Sequence, residues 1–256
     1  MNFGLIKKRA LVTGASRGIG KAIALALSKE GCCVSVVARH EKDLIDVVTE
    51  MGGESKGHNY YSSDLTLPYS SYYMTKCLGT NFDIIINNLG GNLNIKNIFS
   101  SFKDYKQVLE FNVGIAIDLN NLIIPSMKKN KWGRILHISS FSAETLSGSV
   151  PYILAKNYLN TYTKILGNTL AKDGIVVSAL MPGAVIIPGG HWDENSENNK
   201  ISAPGFIYKR EDFLSSFQPI GRFAKPEEIA NIAVFLVSEQ ASFMSASVIS
   251  ASGGGV

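Results

Sequence analysis

The feature that most constrains this chain is a glycine-dense turn, Thr13-Gly14-Ala15-Ser16-Arg17-Gly18-Ile19-Gly20, set between a short apolar run at 9–13 and a helical stretch at 18–30. A tight turn favours residues without a Cβ, and so does any backbone that must approach a ligand closely. Strand, glycine turn and helix in that order open a parallel βαβ unit, and the helix start aims free N–H groups and the positive end of its dipole at the turn. The spacing is Gly-x-x-x-Gly-x-Gly rather than Gly-x-Gly-x-x-Gly. In a βαβ context it predicts a cradle for a pyrophosphate.

The rest of the chain keeps the same rhythm. Strands are expected at 34–38, 60–62, 83–87, 134–139, 176–180 and 247–250, and helices at 42–51, 103–129, 151–172 and 226–238. Runs such as DIIIN and RILHIS are apolar almost throughout, the mark of strands covered on both faces. The expected fold is therefore α/β, a Rossmann-type doubly wound parallel sheet of about seven strands with helices on both faces, in one domain spanning residues 1–256. The irregular stretch is 182–217, rich in Gly, Asn, Ser and Pro; within it 186–217 reads as a substrate lid.

Composition excludes several classes. With 45% hydrophobic and 18% charged residues the chain can build a large core. The net charge of +4 is mild and no long basic run occurs, so Lys7-Lys8-Arg9 and Lys128-Lys129 read as solvated ends of elements and no nucleic-acid partner is expected. No uninterrupted apolar stretch reaches membrane-spanning length, so no membrane partner is expected either. The three cysteines, Cys32, Cys33 and Cys77, have no metal-type spacing and fit a reducing compartment, with the cytoplasm as the expected location. His40, His58, His137 and His191 are scattered, and no metal site is expected.

The tip of the second strand separates NAD from NADP. A carboxylate there would bond the ribose hydroxyls of NAD. This strand ends Val37-Ala38-Arg39, and Arg17 lies in the glycine turn. Two guanidinium groups suit a 2′-phosphate, so NADP(H) is expected over NAD(H). Glu41 is the nearest acidic residue.

In sum the chain resembles the short-chain dehydrogenase/reductase family, and its 3-oxoacyl-[acyl-carrier-protein] reductase-like members in particular. The resemblance covers nearly the whole chain and rests on TGASRGIG at 13–20, Asp64-Leu65, NNLG at 87–90, Asn112, Ser139-Ser140, Tyr152 with Lys156, Pro182-Gly183 and PIGRFAKPEEIA at 219–230. It implies hydride transfer between nicotinamide and a carbonyl or alcohol carbon. Gly14, Ser16, Arg17, Gly18, Ile19 and Gly20 would hold the pyrophosphate, Arg39, Asp64 and Leu65 the adenosine end, and Asn88, Gly90, Pro182, Gly183 and Val185 the nicotinamide end. Leu89 stands where the family has a small residue.

Tyr152 and Lys156, one helical turn apart, share a face. A nearby ammonium favours the phenolate and lowers the phenol pKa from about 10, which suits Tyr152 as the acid/base. The resemblance gives Lys156 the nicotinamide ribose as well. Ser140 would hold the substrate oxygen, with Ser139 the alternative, and Asn112 would seat a relay water. The segment 182–222 carries His191, Trp192, Asp193, Glu194, Lys200, Tyr208, Lys209 and Arg210. It suggests a small polar carbonyl or alcohol substrate, such as a sugar or nucleotide-linked sugar; a 3-oxoacyl thioester reductase and a non-catalytic NADP-binding sensor or structural subunit are the alternatives. The resemblance also implies a homodimer or homotetramer, although Ala246 and Ser252 replace the family's glycine and aspartate near the last strand.

Overall fold

The computed structural model describes residues 2–188, 200–203, 206–209, 214 and 218–255. Seven strands form one sheet: β1 (Arg9–Thr13), β2 (Cys33–Ala38), β3 (Asn59–Ser62), β4 (Ile84–Asn87), β5 (Gly133–Ile138), β6 (Ile175–Pro182) and, last in the chain, β9 (Ser247–Ala251). Their spatial order is β3-β2-β1-β4-β5-β6-β9, and every pair is parallel. The order reverses between β1 and β4, which opens a crevice at their carboxyl ends.

Two apolar layers explain the continuously apolar strands. On one face Ile23 and Leu27 of α1 (Gly18–Lys29), Leu44 and Val47 of α2 (Glu41–Glu50) and Ile229 and Ala233 of α8 (Pro226–Leu236) pack on Val12, Val34 and Ile86. On the other, Met74 of α3 (Ser70–Leu78) and Leu119, Ile123 and Met127 of α5 (Ile115–Asn130) pack on Leu11, Ile85 and Val177. The helix α3 was not expected: SSYYMTKCL has no clear apolar period, and it forms because Met74 fills the second layer.

The long helix expected at 103–129 is not uniform. It runs as α4 (Phe102–Leu109), a π turn (Glu110–Gly114) and α5. From Phe102 to Asn130 it is long and apolar enough to cross a bilayer by length and composition, although charged and amide residues interrupt it. Here its apolar residues Val108, Leu119, Ile123 and Met127 are spent on the core. The basic ends are not plainly solvated either: Lys8 lies 3.6 Å over the Trp132 ring, and Lys128 meets Asp173 at 3.5 Å.

The segment read as irregular begins inside β6 and also holds an antiparallel pair, β7 (Lys200–Ala203) with β8 (Phe206–Lys209). Most of the expected lid, including His191, Trp192, Asp193, Glu194 and Arg210, falls outside the described residues, as do the side chains of Lys200, Tyr208 and Lys209. Two further α-helices, α6 (Ser142–Thr145) and α7 (Val150–Leu170), follow β5.

Candidate active site

A cleft of about 1240 Å³ opens along the carboxyl edge of the sheet. Gly14, Ser16, Arg17, Gly18, Ile19 and Gly20 line one part of it, and Arg39, Asp64 and Leu65 stand beside them. Asn88, Gly90, Ser140, Tyr152, Lys156, Pro182, Gly183 and Val185 line the remainder. Of the catalytic and cofactor-binding residues named from the sequence, Asn112 alone is absent from the lining.

The glycine turn is built for close approach. Gly14 and Gly18 have φ of 62° and 59°, in the left-handed region, and a Cβ on Gly20 would run into the carbonyl oxygen of Gly14. Thr13, which the sequence reading passed over, ties this turn to β4. Its hydroxyl donates to the Ile86 carbonyl at 3.3 Å and accepts from the N–H groups of Asn88 and Leu89, both at 3.1 Å. The Asn88 amide adds bonds to the carbonyls of Thr13 (2.9 Å) and Gly14 (3.1 Å). The TG of TGASRGIG was the available signal, but it does not reveal that a hydroxyl stitches two strands together.

At the tip of β2 Ala38 presents no carboxylate, and Arg17 and Arg39 are exposed at the cleft. Asp64 accepts from the Thr66 hydroxyl (2.7 Å) and N–H (3.0 Å). Those bonds, with the Arg39 charge, hold its carboxyl below the usual range despite partial burial. Leu89 lines the cleft, and a Cβ on Gly14 would lie 3.4 Å from its Cδ1. These groups fit a dinucleotide: backbone bare at the turn, cations at the ribose end and no competing carboxylate at the strand tip.

The side chains that the sequence marks as catalytic gather around the start of α7. Ser149 caps that helix, accepting from the Tyr152 N–H at 3.4 Å, and Pro151 fits its first turn. The Ser140 hydroxyl shares the cleft with that of Tyr152 and favours its phenolate. Ser140 also accepts from the Ser142 N–H at 3.2 Å. Ser139 points elsewhere: it is buried and donates to the Lys156 carbonyl at 3.4 Å. Lys156 is 2% exposed, and its ammonium donates to the Ile138 carbonyl at 2.8 Å. Burial brings its pKa down to about 7.

The sequence expected Lys156 to lower the Tyr152 pKa. In this structure burial raises it and the Ser140 hydroxyl only partly offsets that. The Lys156 nitrogen is 5.4 Å from the Tyr152 ring centre, and an amine with a pKa near 7 is only partly charged at neutral pH.

Asn112 sits in the π turn and is buried. Its side-chain oxygen accepts from the Gly91 N–H at 3.0 Å, and its NH₂ donates to the carbonyls of Gly91 and Val108, each at 2.8 Å. The side chain thus holds backbone and shapes the loop after β4. A Cβ on Gly90 would lie 2.5 Å from the Asn112 oxygen and 3.0 Å from the Lys156 nitrogen, so the loop closes on both. Among the described residues no cluster of His, Cys, Asp and Glu could hold a metal.

Comparison with known proteins agrees with this geometry. Residues 8–197 match the short chain dehydrogenase family. A 3-oxoacyl-[acyl-carrier-protein] reductase of Aquifex aeolicus is 30% identical over 99% of this chain and 99% of its own length. The structure of L-sorbose reductase from Gluconobacter frateurii, complexed with NADPH and L-sorbose, superposes with a TM-score of 0.85 at 28% identity, covering 99% of this chain and 98% of that one. A 7α-hydroxysteroid dehydrogenase complexed with NADH and 7-oxo glycochenodeoxycholic acid does so at 0.84 and 29% identity, over 100% and 96%. With its glycine turn at the sheet reversal and a match across most of its length, the chain belongs to the short-chain dehydrogenase family and is an oxidoreductase of hydroxyl and carbonyl groups.

Proposed function

We propose that this enzyme prefers NADP(H) and interconverts the carbonyl and alcohol of a small polar substrate. The observation that carries the reading is that Ser140, Tyr152 and buried Lys156 line the same cleft as the glycine turn. Bound NADPH supplies the hydride. Ser140 and Tyr152 both donate toward the oxygen that gains charge, which stabilises it as it forms. Tyr152 then gives up its proton to that oxygen, and in the oxidative direction takes it back. Lys156 holds the ribose and, when charged, stabilises the phenolate. Asn112 keeps the loop at Gly90 and Gly91 closed behind Lys156, and the relay to solvent passes there.

The preference for NADP(H) rests on Ala38 at the strand tip and on exposed Arg17 and Arg39 at the cleft. The two solved relatives named above are complexed with NADPH and NADH and with unlike ligands, so the polar substrate is argued from this chain alone: Asn92, Ser142, Thr145 and Ser147 line its cleft. Leu154, Tyr158 and Ile165 make an exposed apolar stripe on α7, which supports a homodimer or homotetramer. The three cysteines are free thiols, which supports a cytoplasmic location.

Titration with NADPH and NADH, followed by turnover on ketoses, nucleotide-linked sugars and 3-oxoacyl thioesters, tests the reading. NADPH is expected to bind more tightly, and Arg39→Ala to weaken it on the order of tenfold with little effect on NADH. Tyr152→Phe is expected to lose about 100-fold or more in turnover with cofactor affinity kept. Tighter NADH binding, or a tenth of the activity surviving in Tyr152→Phe, would refute it. Binding without turnover on every substrate would favour a sensor.

A further inference from the structure

Gln218 is buried, 3% exposed, yet borders the cleft. Its side-chain oxygen accepts from the Ala184 N–H at 2.9 Å, and its NH₂ donates back to the Ala184 carbonyl at 3.3 Å and to the Arg222 carbonyl. One amide therefore meets both polar groups of a single residue, as a neighbouring strand would, across a separation of 34 positions. A carboxylate would face two carbonyls without a proton to give, and a hydrocarbon would leave the Ala184 N–H and the Arg222 carbonyl without the Gln218 partner.

The contact sits where the chain leaves the sheet. The Ala224 N–H donates to the Ala184 carbonyl at 3.0 Å, and the Ile186 N–H to the Ala224 carbonyl at 2.9 Å, so Val185 bridges Ala224 as in a short parallel ladder. Gly183 is wedged behind it, with space for a Cβ closed 3.1 Å from the Gln218 oxygen and 3.0 Å from the Ser252 Cα. Beyond the ladder Ile187 lies against the glycine turn, where a Cβ on Gly18 would come within 2.8 Å of its Cδ1. A continuous line of contact runs from Gln218 through Ala184 and Val185 to Ile187 and Gly18.

We propose that Gln218 is a positioning residue, which sets the wall at Gly183–Ile187 at a fixed distance from the glycine turn and so defines the slot for the nicotinamide and pyrophosphate. The inference rests on the cofactor reading above. The slot takes the half of the dinucleotide that NADPH and NADH share, so disturbing Gln218 affects both alike, whereas Arg39 discriminates between them.

Gln218→Met keeps the shape and removes the bonds. Nucleotide fluorescence should show Kd for NADPH and NADH raised in the same proportion, on the order of tenfold, in a protein that remains folded well below its Tm. With deuterated nucleotide, the strict choice of one nicotinamide face should relax. Should Gln218→Met prove too unstable to purify, Gln218→Asn, too short to span both Ala184 groups, takes its place with the same expectation. A folded variant with a lower Tm but unchanged Kd and facial choice would mark a purely structural residue and overturn the proposal. A loss confined to NADPH would overturn it too. If the unsubstituted chain binds neither nucleotide, the cofactor reading itself has failed, and that is visible before any substitution is made.

Discussion

Lys156 carries its amine where burial opposes charge. Its folded pKa of about 7 lies below the ~10.4 of an unfolded lysine. Between those values the unfolded chain binds more protons than the native one, so stability rises with pH across that window and the penalty is fully present below pH 7. Lys156→Met is expected to stabilise the protein at pH 6 by roughly 2 kcal/mol, net of the lost bond to Ile138, with the gain gone near pH 10. Denaturant melts at the two pH values check this, and an equal effect at both would defeat it. Ala246 shows the opposite kind of strain. Its φ of 63° is a left-handed conformation that suits glycine, the residue the family resemblance led one to expect there. Ala246→Gly should therefore stabilise by about 1 kcal/mol, read as a shift of the denaturation midpoint. Its N–H bond to the Val177 carbonyl, 2.8 Å, stays in place. The strain could not be seen from sequence, because φ is a property of the turn and not of alanine.

Elements β4, α5, β5 and α7 are laced together by buried side chains. The Asn87 NH₂ donates to the Asn120 oxygen at 3.1 Å, and the Asn120 NH₂ reaches His137 Nε2 at 3.1 Å and the Tyr162 hydroxyl at 3.3 Å. Thr163 Oγ1 donates to the Leu159 carbonyl at 2.7 Å, so at 2.8 Å it accepts from His137 Nδ1. That leaves Nε2 as an acceptor facing an NH₂ group, with no room for a second proton. Burial, with Lys156 nearby, takes the His137 pKa down to about 3. A depressed histidine withholds a proton that the unfolded chain binds below ~6.5, so its share of stability is lost as pH falls from there toward 3. His137→Gln is expected to flatten the acid limb of a stability–pH profile measured between pH 4 and 7; an unchanged slope would remove His137 from its cause. The strands around this network were legible because an apolar run between turn residues is a local signal. The network was not, since RILHIS reads His137 as an ordinary strand residue and its partners lie 17 and 26 positions away. Asn112 divides the same way: an interior helical Asn signalled something special, while the π turn beneath it depends on Gly91 from another loop. Ser140 was favoured from the sequence, but the differing contacts of the two serines needed coordinates: Ser139 bonds the Lys156 carbonyl, while Ser140 accepts from the Ser142 N–H.

At the scale of the molecule, the stripe of Leu154, Tyr158 and Ile165, spaced four and seven apart on α7, leaves hydrocarbon in water. Tyr158→Asp is expected to convert an assembly of copies to monomers in sedimentation at micromolar concentration, and a wild-type chain that is monomeric there would exclude the assembly. The parallel sheet and its two helical layers were readable from the alternation of strands and helices, but the closure of the fold was not. Residues near the start of the chain are held by residues near its far end: the Glu239 N–H donates to the Phe3 carbonyl at 3.0 Å, and the Gln240 side chain to the Asn2 carbonyl at 2.9 Å. Trp132 and Arg134 join the same knot through Glu239, at 2.7 Å and 3.2 Å. Closing a loop that long is entropically unfavourable until most other contacts exist to shorten it. During synthesis the bonds from Glu239 and Gln240 to Phe3 and Asn2 therefore have to wait until residue 240 has cleared the ribosome.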